Sequence, residues 1–347
     1  MIYIRVDTNE IVGLGHVMRC MSIAKELQRI GEEVEFLYAD ARTEKIVHQN
    51  GFKGVCLHSV WNDLEQEINV LVRILEKNPA QLLLMDTYYV TEKYLKTLKN
   101  YVKTAYLDDF HAMVYPVDIL INYNISATYF PYEEEYRKKG YNTKLLLGCS
   151  YVPLREEFVG VKRDANNFSR KVLLMSGGTD IFNILGGLLK GLKEQIWFQN
   201  YEYYVVSGRY NTHFNELIEF SADVLNVHIL SNVTNLADYM KNCDIAVTAG
   251  GVTTYELCAS GTAAVMYTLA DNQLEIAKAF SERGIIPWAG DVRQNKECCV
   301  EAIIKEIEVL LCSISERKQR AEKMQCVVDG QGCKRLAEML KKEIEIC

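Results

Sequence analysis

The chain has no apolar run long enough to cross a bilayer, no Cys-x-x-Cys pair and no Asp-x-Asp on a loop. The first absence excludes a membrane-spanning helix and, with it, stable membrane insertion. The second removes the spacing of a zinc ribbon or a thioredoxin dithiol. The third leaves no paired loop carboxylates for a divalent ion, so neither a metal nor a cofactor is expected. Positive charge is scarce as well: 39 basic residues against 46 acidic ones give a net charge of −7. Such a balance offers no broad basic surface for DNA or RNA. An anionic substrate would be held by local dipoles and loop amides. The 11 cysteines are odd in number and scattered, which reads as reduced thiols. Met1 leads straight into an apolar run with no charged or apolar leader, so a cytoplasmic location is expected.

What is present is alternation. Ile2-Tyr3-Ile4-Arg5-Val6 reads as a first strand, and Met21, Ile23, Ala24, Leu27 and Ile30 then recur at helical spacing. Strands at 33–39, 54–57, 81–86, 104–108, 119–122 and 145–147 follow, with amphipathic helices between several of them. The alternation pauses over 148–169 and resumes at Lys171-Val172-Leu173-Leu174-Met175, with later strands at 203–206, 227–230, 245–248 and 264–267. From Lys296 the chain reads as helical, broken near Gly330 and Gly332. The pattern predicts α/β architecture: two Rossmann-like, doubly wound domains whose strand-end loops face across a cleft. The expected boundaries are 1–155 for the first domain, 156–169 for a linker and 170–347 for the second, with a helical tail.

Two glycine loops carry the chemistry. Gly13-Leu14-Gly15-His16 joins the first strand to the first helix. Its glycines admit close backbone approach, and the helix start brings unpaired N–H groups and partial positive charge. His16 stands in that field as a candidate base, or as a cap or phosphate contact without proton transfer. His48, His58, His111, His213 and His228 follow no motif and read as surface or packing residues. Arg5 and Asp7 are placed to form a local ion pair. In the second half, Gly250-Gly251-Val252-Thr253 runs from a strand into a helix, a seat for a diphosphate. Glu256, about one turn further, could take both hydroxyls of a ribose, or it could close a capping box with Thr253. Asn272 and Gln273 could bond sugar hydroxyls, whereas Asp271 could simply cap a helix. Arg209 is a possible diphosphate contact.

In order, the chain carries Gly13-x-Gly15-His16-x-x-Arg19, Asp86-x-Tyr88, Asp108-Asp109, Gly177-Gly178-x-Asp180-x-x-Asn183, Gly250-Gly251-x-Thr253-x-x-Glu256, Asp271-Asn272-Gln273 and Asp329-Gly330-x-Gly332-x-Lys334-Arg335. This series resembles the UDP-sugar hydrolase family of pseudaminic acid biosynthesis and the related spore coat polysaccharide biosynthesis proteins. That family is similar to the peptidoglycan glycosyltransferase MurG and shares its GT-B fold. The resemblance implies His16 as catalytic base, with Tyr88, Asn272 and Gln273 around the sugar and water. It implies Gly251, Val252 and Thr253 on the diphosphate, Glu256 on the ribose and Asn183 reaching the substrate from the second half's first loop. The implied reaction converts UDP-2,4-diacetamido-2,4,6-trideoxy-β-L-altropyranose to UDP and the free sugar.

Three other readings stand beside it. One is a GT-B glycosyltransferase passing the sugar of a UDP-sugar to an acceptor. Tyr129-Phe130-Pro131-Tyr132 is apolar, but Glu133-Glu134-Glu135 behind it disfavours an anionic lipid surface. Another is an NAD-dependent oxidoreductase with Asp40 on the ribose. Met18 at the third glycine position of that fingerprint is too large for close helix–strand packing. The last is a module that binds nucleotide sugars without turnover.

Overall fold

The computed structural model describes residues 1–9, 11–163, 168–208 and 210–345. The chain divides into two compact units, one of Met1–Arg155 with Gln331–Cys347 and the other of Glu156–Gly330.

The first unit runs β1 (Ile2–Val6), α1 (Gly15–Arg29), β2 (Val34–Tyr38), α2 (Ala41–Gln49), β3 (Lys53–Cys56), α3 (Ile68–Lys77), β4 (Leu82–Asp86), α4 (Glu92–Leu98), β5 (Thr104–Leu107), β6 (Ile119–Asn122), α5 (Tyr132–Lys139) and β7 (Lys144–Leu147). Its strands are parallel and ordered β3-β2-β1-β4-β5-β6-β7. Parallel strands buried on both faces need continuous apolar runs. β1, β4 and β6 are buried at every position. One sheet face, with Tyr3, Leu83, Met85 and Leu120, shares a core with Leu71, Leu75, Tyr94 and Leu98 of the covering helices. The amphipathic stretch 64–75 starts as a 3-10 turn over Leu64–Glu67 and continues as α3.

The second unit runs β8 (Lys171–Met175), α6 (Ile184–Lys193), β9 (Glu202–Ser207), α7 (Phe214–Ala222), β10 (Val227–Ser231), α8 (Leu236–Asn242), β11 (Ile245–Ala249), α9 (Val252–Ser260), β12 (Ala263–Thr268), α10 (Leu274–Glu282), β13 (Trp288–Asp291), α11 (Lys296–Cys312) and α12 (Ile314–Gln325). The parallel order β10-β9-β8-β11-β12-β13 repeats the logic of the first sheet. β13 escapes the sequence reading because Trp288-Ala289-Gly290-Asp291 is short and only its last residue is fully buried. In both units the order reverses beside the first strand, between β1 and β4 and between β8 and β11. The crevice where ligands of such sheets bind therefore opens beyond the carboxyl ends of those strands.

The units depart from the expected boundaries at two places. Residues 156–169 are not a free linker where they are described. Glu157 Oε1 accepts from Leu236 N at 3.1 Å, Arg163 N donates to Ser260 O at 2.8 Å, and Ser169 N donates to Asp244 Oδ1 at 3.1 Å. Asn166 and Asn167, within the pause over 148–169, lie outside the described residues. The last helix, α13 (Gly332–Glu345), belongs to the first unit, where it packs on α1 and on the turn Cys149–Tyr151. Gly332 permits this approach, because a Cβ there would press into the Val152 carbonyl oxygen. The buried stripe Leu336, Ala337, Leu340 and Ile344 recurs at helical spacing, which shows a covered face but not what covers it. Among the described residues no helix is long and apolar enough to cross a membrane.

Leu336 is fully buried. Leu336→Ala should cost about 2–5 kcal/mol by removing packed methyl groups. Urea unfolding should show this loss, with the exposed Lys342→Ala unchanged as the control.

Candidate active site

The loop from β1 to α1 is held by its own side chains. Asn9 Oδ1 accepts from Ile11 N at 2.8 Å and Val12 N at 2.9 Å, and Thr8 Oγ1 donates to Gly13 O at 2.6 Å. Gly13 adopts φ +74°, a left-handed turn that favours glycine. Gly15 is the first residue of α1, and a Cβ on either glycine would meet open space. Leu14, at the N-cap, supplies no side-chain cap, and the first turn holds no acid.

His16 is buried one residue into α1. Its Nδ1 lies 2.5 Å from Oδ1 of Asp86, the last residue of β4. Arg19, one turn further, donates Nε to Asp86 Oδ2 at 2.6 Å and Nη2 to Asp86 Oδ1 at 2.5 Å. The same guanidinium donates to Asp109 at 3.0 and 2.9 Å and to the Tyr123 hydroxyl at 2.5 Å. Cys20 Sγ donates to Asp86 Oδ2 at 3.3 Å, and Tyr88 donates its hydroxyl to Asp109 Oδ2 at 3.0 Å. The Tyr88 ring meets the His16 ring edge-on with centroids 4.5 Å apart, and Phe110 meets Tyr88 in the same way at 4.9 Å.

The charges follow from this packing. Burial opposes ionisation of Asp86, but Arg19 and His16 outweigh it and hold the carboxyl well below the usual range. Burial opposes the Arg19 charge, and Asp109 and Asp86 more than reverse this. Burial, with Asp109 beside it, pushes the Tyr88 phenol well up, so it stays protonated. An ionised carboxylate only accepts, so His16 Nδ1 carries the proton and Nε2 is left as the acceptor. Arg19 Nη2 lies 3.1 Å from Nδ1 but has only donors, so it does not compete. With the imidazole neutral, one guanidinium faces two carboxylates. Arg5 and Asp7 do pair, at 2.5 Å, within a second buried network in which Glu67 takes Arg5 Nε at 2.7 Å and the Tyr94 hydroxyl at 2.8 Å.

In the second unit, Gly251 is the N-cap of α9, with no side-chain cap and no acid in the first turn. Thr253 is therefore the second helical residue and Glu256 the fifth. A capping box needs the cap position and the third, so that reading of Thr253 and Glu256 is excluded. Glu256 is buried, while Val252 and Thr253 are half-buried at the helix start. Most helices that leave a loop directly are capped by a side chain: α2 by Asp40, α4 by Thr91, α6 by Asn183, α8 by Asn235, α11 by Asn295 and α12 by Ser313. α1 and α9, which start after glycine loops at the order reversals, are not, and neither are α5 and α7. The first N–H groups of α1 and α9 are thus available to an anion. Asp271 caps nothing. It bonds Arg293 Nη1 at 2.7 Å, within a 3-10 turn that also carries Asn272 and Gln273. Gln273 Oε1 accepts from Leu269 N at 2.9 Å, and its Cβ flanks Gly250.

Asn183 is engaged locally. Its Oδ1 accepts from Gly186 N at 3.2 Å and its Nδ2 donates to Glu216 at 2.9 Å. Its neighbour Asp180 accepts from Ile184 N at 2.9 Å and Leu185 N at 3.3 Å, yet burial pushes its carboxyl up to about 6. Arg209 lies outside the described residues. The structure thus brings Gly13, Gly15, His16 and Tyr88 together in the first unit. It gathers Gly250, Gly251, Val252, Thr253, Glu256, Asn272 and Gln273 beyond β11 and β12 in the second. Sequence reasoning quoted Arg19, Asp86 and Asp109 without a role and missed Tyr123. The available signal was position, since Asp86, Asp109 and Tyr123 end or follow three neighbouring strands. Among the described residues no group of three or more His, Cys, Asp or Glu is arranged to hold a metal ion.

Arg19→Met strands two buried carboxylates and should cost about 3–5 kcal/mol in urea unfolding; Arg29→Met, at an exposed pair, should leave the midpoint in place. Asp180 has a folded value above its unfolded one. Its contribution to stability is full below the unfolded value and is lost as pH rises through about 6. Between pH about 4 and about 7 the protein should therefore lose thermal stability relative to Asp180→Asn.

No family model matches the chain. It is 25% identical over 287 residues to an uncharacterised protein of Methanocaldococcus jannaschii, covering 79% of this chain and 56% of that one. It is 24% identical over 304 residues to the Helicobacter pylori pseudaminic acid cytidylyltransferase and UDP-2,4-diacetamido-2,4,6-trideoxy-β-L-altropyranose hydrolase, covering 86% of this chain and 48% of that one. The chain thus spans about half the length of these two relatives. It is 21% identical over 334 residues to the spore coat polysaccharide biosynthesis protein SpsG of Bacillus subtilis, covering 95% and 94%. Among solved structures, Acinetobacter baumannii MurG superposes with a TM-score of 0.71 at 13% identity, covering 98% of this chain and 99% of that one. The chain has the GT-B fold, and in sequence it is similar to the UDP-sugar hydrolase of pseudaminic acid biosynthesis and to the spore coat protein SpsG.

Proposed function

We propose that the protein hydrolyses the anomeric C–O bond of a UDP-activated diacetamido-trideoxy sugar, in the making of a nonulosonic acid or a spore coat polysaccharide. The observation that carries this is the His16 Nδ1–Asp86 contact at 2.5 Å, which fixes the tautomer that leaves Nε2 as a base. Water gives its proton to Nε2 as its oxygen attacks the anomeric carbon, and the C–O electron pair leaves on the diphosphate. Asp86 stabilises the imidazolium that forms. The departing UDP is already a weak base, so it needs fixed positive dipoles more than a proton. The uncapped start of α9, with Gly250, Gly251, Val252 and Thr253, supplies them. Glu256 takes the ribose hydroxyls, and Tyr88 and Asn272 line the site of the sugar and the attacking water, with Gln273 beside them. Asn183 contributes by shaping its loop, since its amide is already engaged. A cytoplasmic setting fits the ten described cysteines, all free thiols. The alternative is glycosyl transfer from the same donor site, which would release UDP only when an acceptor is present.

UDP release from candidate UDP-sugars without acceptor is the direct assay. His16→Asn should lower turnover by about 10²–10⁴-fold with UDP binding retained. A variant with full activity, or UDP release that requires an acceptor, would sink the hydrolytic reading.

A further inference from the structure

The Asp109 carboxylate takes three donors. Two come from Arg19, at 3.0 and 2.9 Å, and the third is the Tyr88 hydroxyl at 3.0 Å. Its side chain is almost fully buried. A carboxylate only accepts, and the Tyr88 phenol is held in its protonated form, so the phenol proton is committed to Asp109. The Tyr88 oxygen can then act toward other groups only as an acceptor. The same logic applies across the ring contact: Asp86 commits the Nδ1 proton of His16 and leaves Nε2 as an acceptor. The two rings meet edge-on with their centroids 4.5 Å apart, and a water, with two donors, can bond two acceptors.

We propose that Asp109 is a positioning residue, which fixes the Tyr88 hydroxyl as an acceptor so that Tyr88 and His16 Nε2 each accept a hydrogen bond from the attacking water, whose proton then passes to Nε2 alone. This rests on the hydrolytic reading above. Arg19 makes the arrangement rigid, since one planar guanidinium spans both carboxylates and cannot release one without unbalancing the other. A neutral amide in place of Asp109 could donate to the phenol oxygen and let the phenol donate outward, the wrong polarity for a water that must face its oxygen to carbon.

The test is a double-mutant cycle on UDP release. Asp109→Asn should lower kcat by about 10- to 100-fold, the size of one hydrogen bond to a charged group. KM and UDP affinity should stay within about twofold. Tyr88→Phe should lower kcat comparably, and Asp109→Asn should add little on the Tyr88→Phe background. Additive losses would mean that Asp109 acts through Arg19 and Asp86, and would overturn the proposal. So would an unchanged kcat, or a loss confined to KM, which would point to a sugar hydroxyl instead of water. Should Asp109→Asn unfold, Asp109→Glu keeps the charge, moves the acceptor, and should show the same dependence on the Tyr88 hydroxyl. A wild-type protein that releases no UDP from any UDP-sugar fails the hydrolytic reading itself, whereas active wild type with additive variants fails only the role of Asp109.

Discussion

One guanidinium, that of Arg19, stands between two carboxylates buried in the first unit. Removing charge from water is costly, and the attraction between buried charges repays this only when geometry satisfies every donor and acceptor. Here it does. Arg19 places five hydrogen bonds on Asp86, Asp109 and Tyr123. The carboxylates in turn fix the imidazole of His16 and the hydroxyl of Tyr88. The cation comes from α1, while its partners come from the ends of β4, β5 and β6. The cluster therefore ties the helix to three strands, and those strands must lie side by side for it to form.

The sheet order supplies that. With β1, β4, β5 and β6 adjacent, three successive strand ends present their polar residues along one edge, next to the point where α1 begins. The second unit repeats the order and puts α9 at the equivalent reversal. Six of the described helices are capped by Asp, Asn, Ser or Thr side chains; α1 and α9, which follow glycine loops at these reversals, are not, and α5 and α7 are bare as well. An unsatisfied helix start costs stability unless water or a ligand meets its N–H groups. Leaving it open at the mouth of a ligand crevice fits the binding of an anion.

Much of this was legible in the residues. Continuous apolar strands such as Leu82–Met85 announce a parallel sheet, and Gly13-x-Gly15-His16 announces a loop with chemistry. Other features were not. The Thr253-x-x-Glu256 spacing suits a capping box, but the helix starts at Val252, because the glycines before it and the pairing of Gly250 N with Tyr267 O set its first turn. Asp271 has the composition of a cap and instead finds Arg293, a partner 22 residues away. β13 has too little apolar pattern to be seen before β12 is there to pair with it.

The sequence by itself determined the α/β alternation, the two glycine loops and the residue types gathered near them, because periodicity and backbone freedom are local properties. Tertiary structure decided which nitrogen of His16 carries its proton, which carboxylates share Arg19, and that the last helix returns to the first unit. Each of these depends on residues tens to hundreds of positions apart meeting within a few ångströms. No local spacing encodes such a meeting; only the packed sheets produce it.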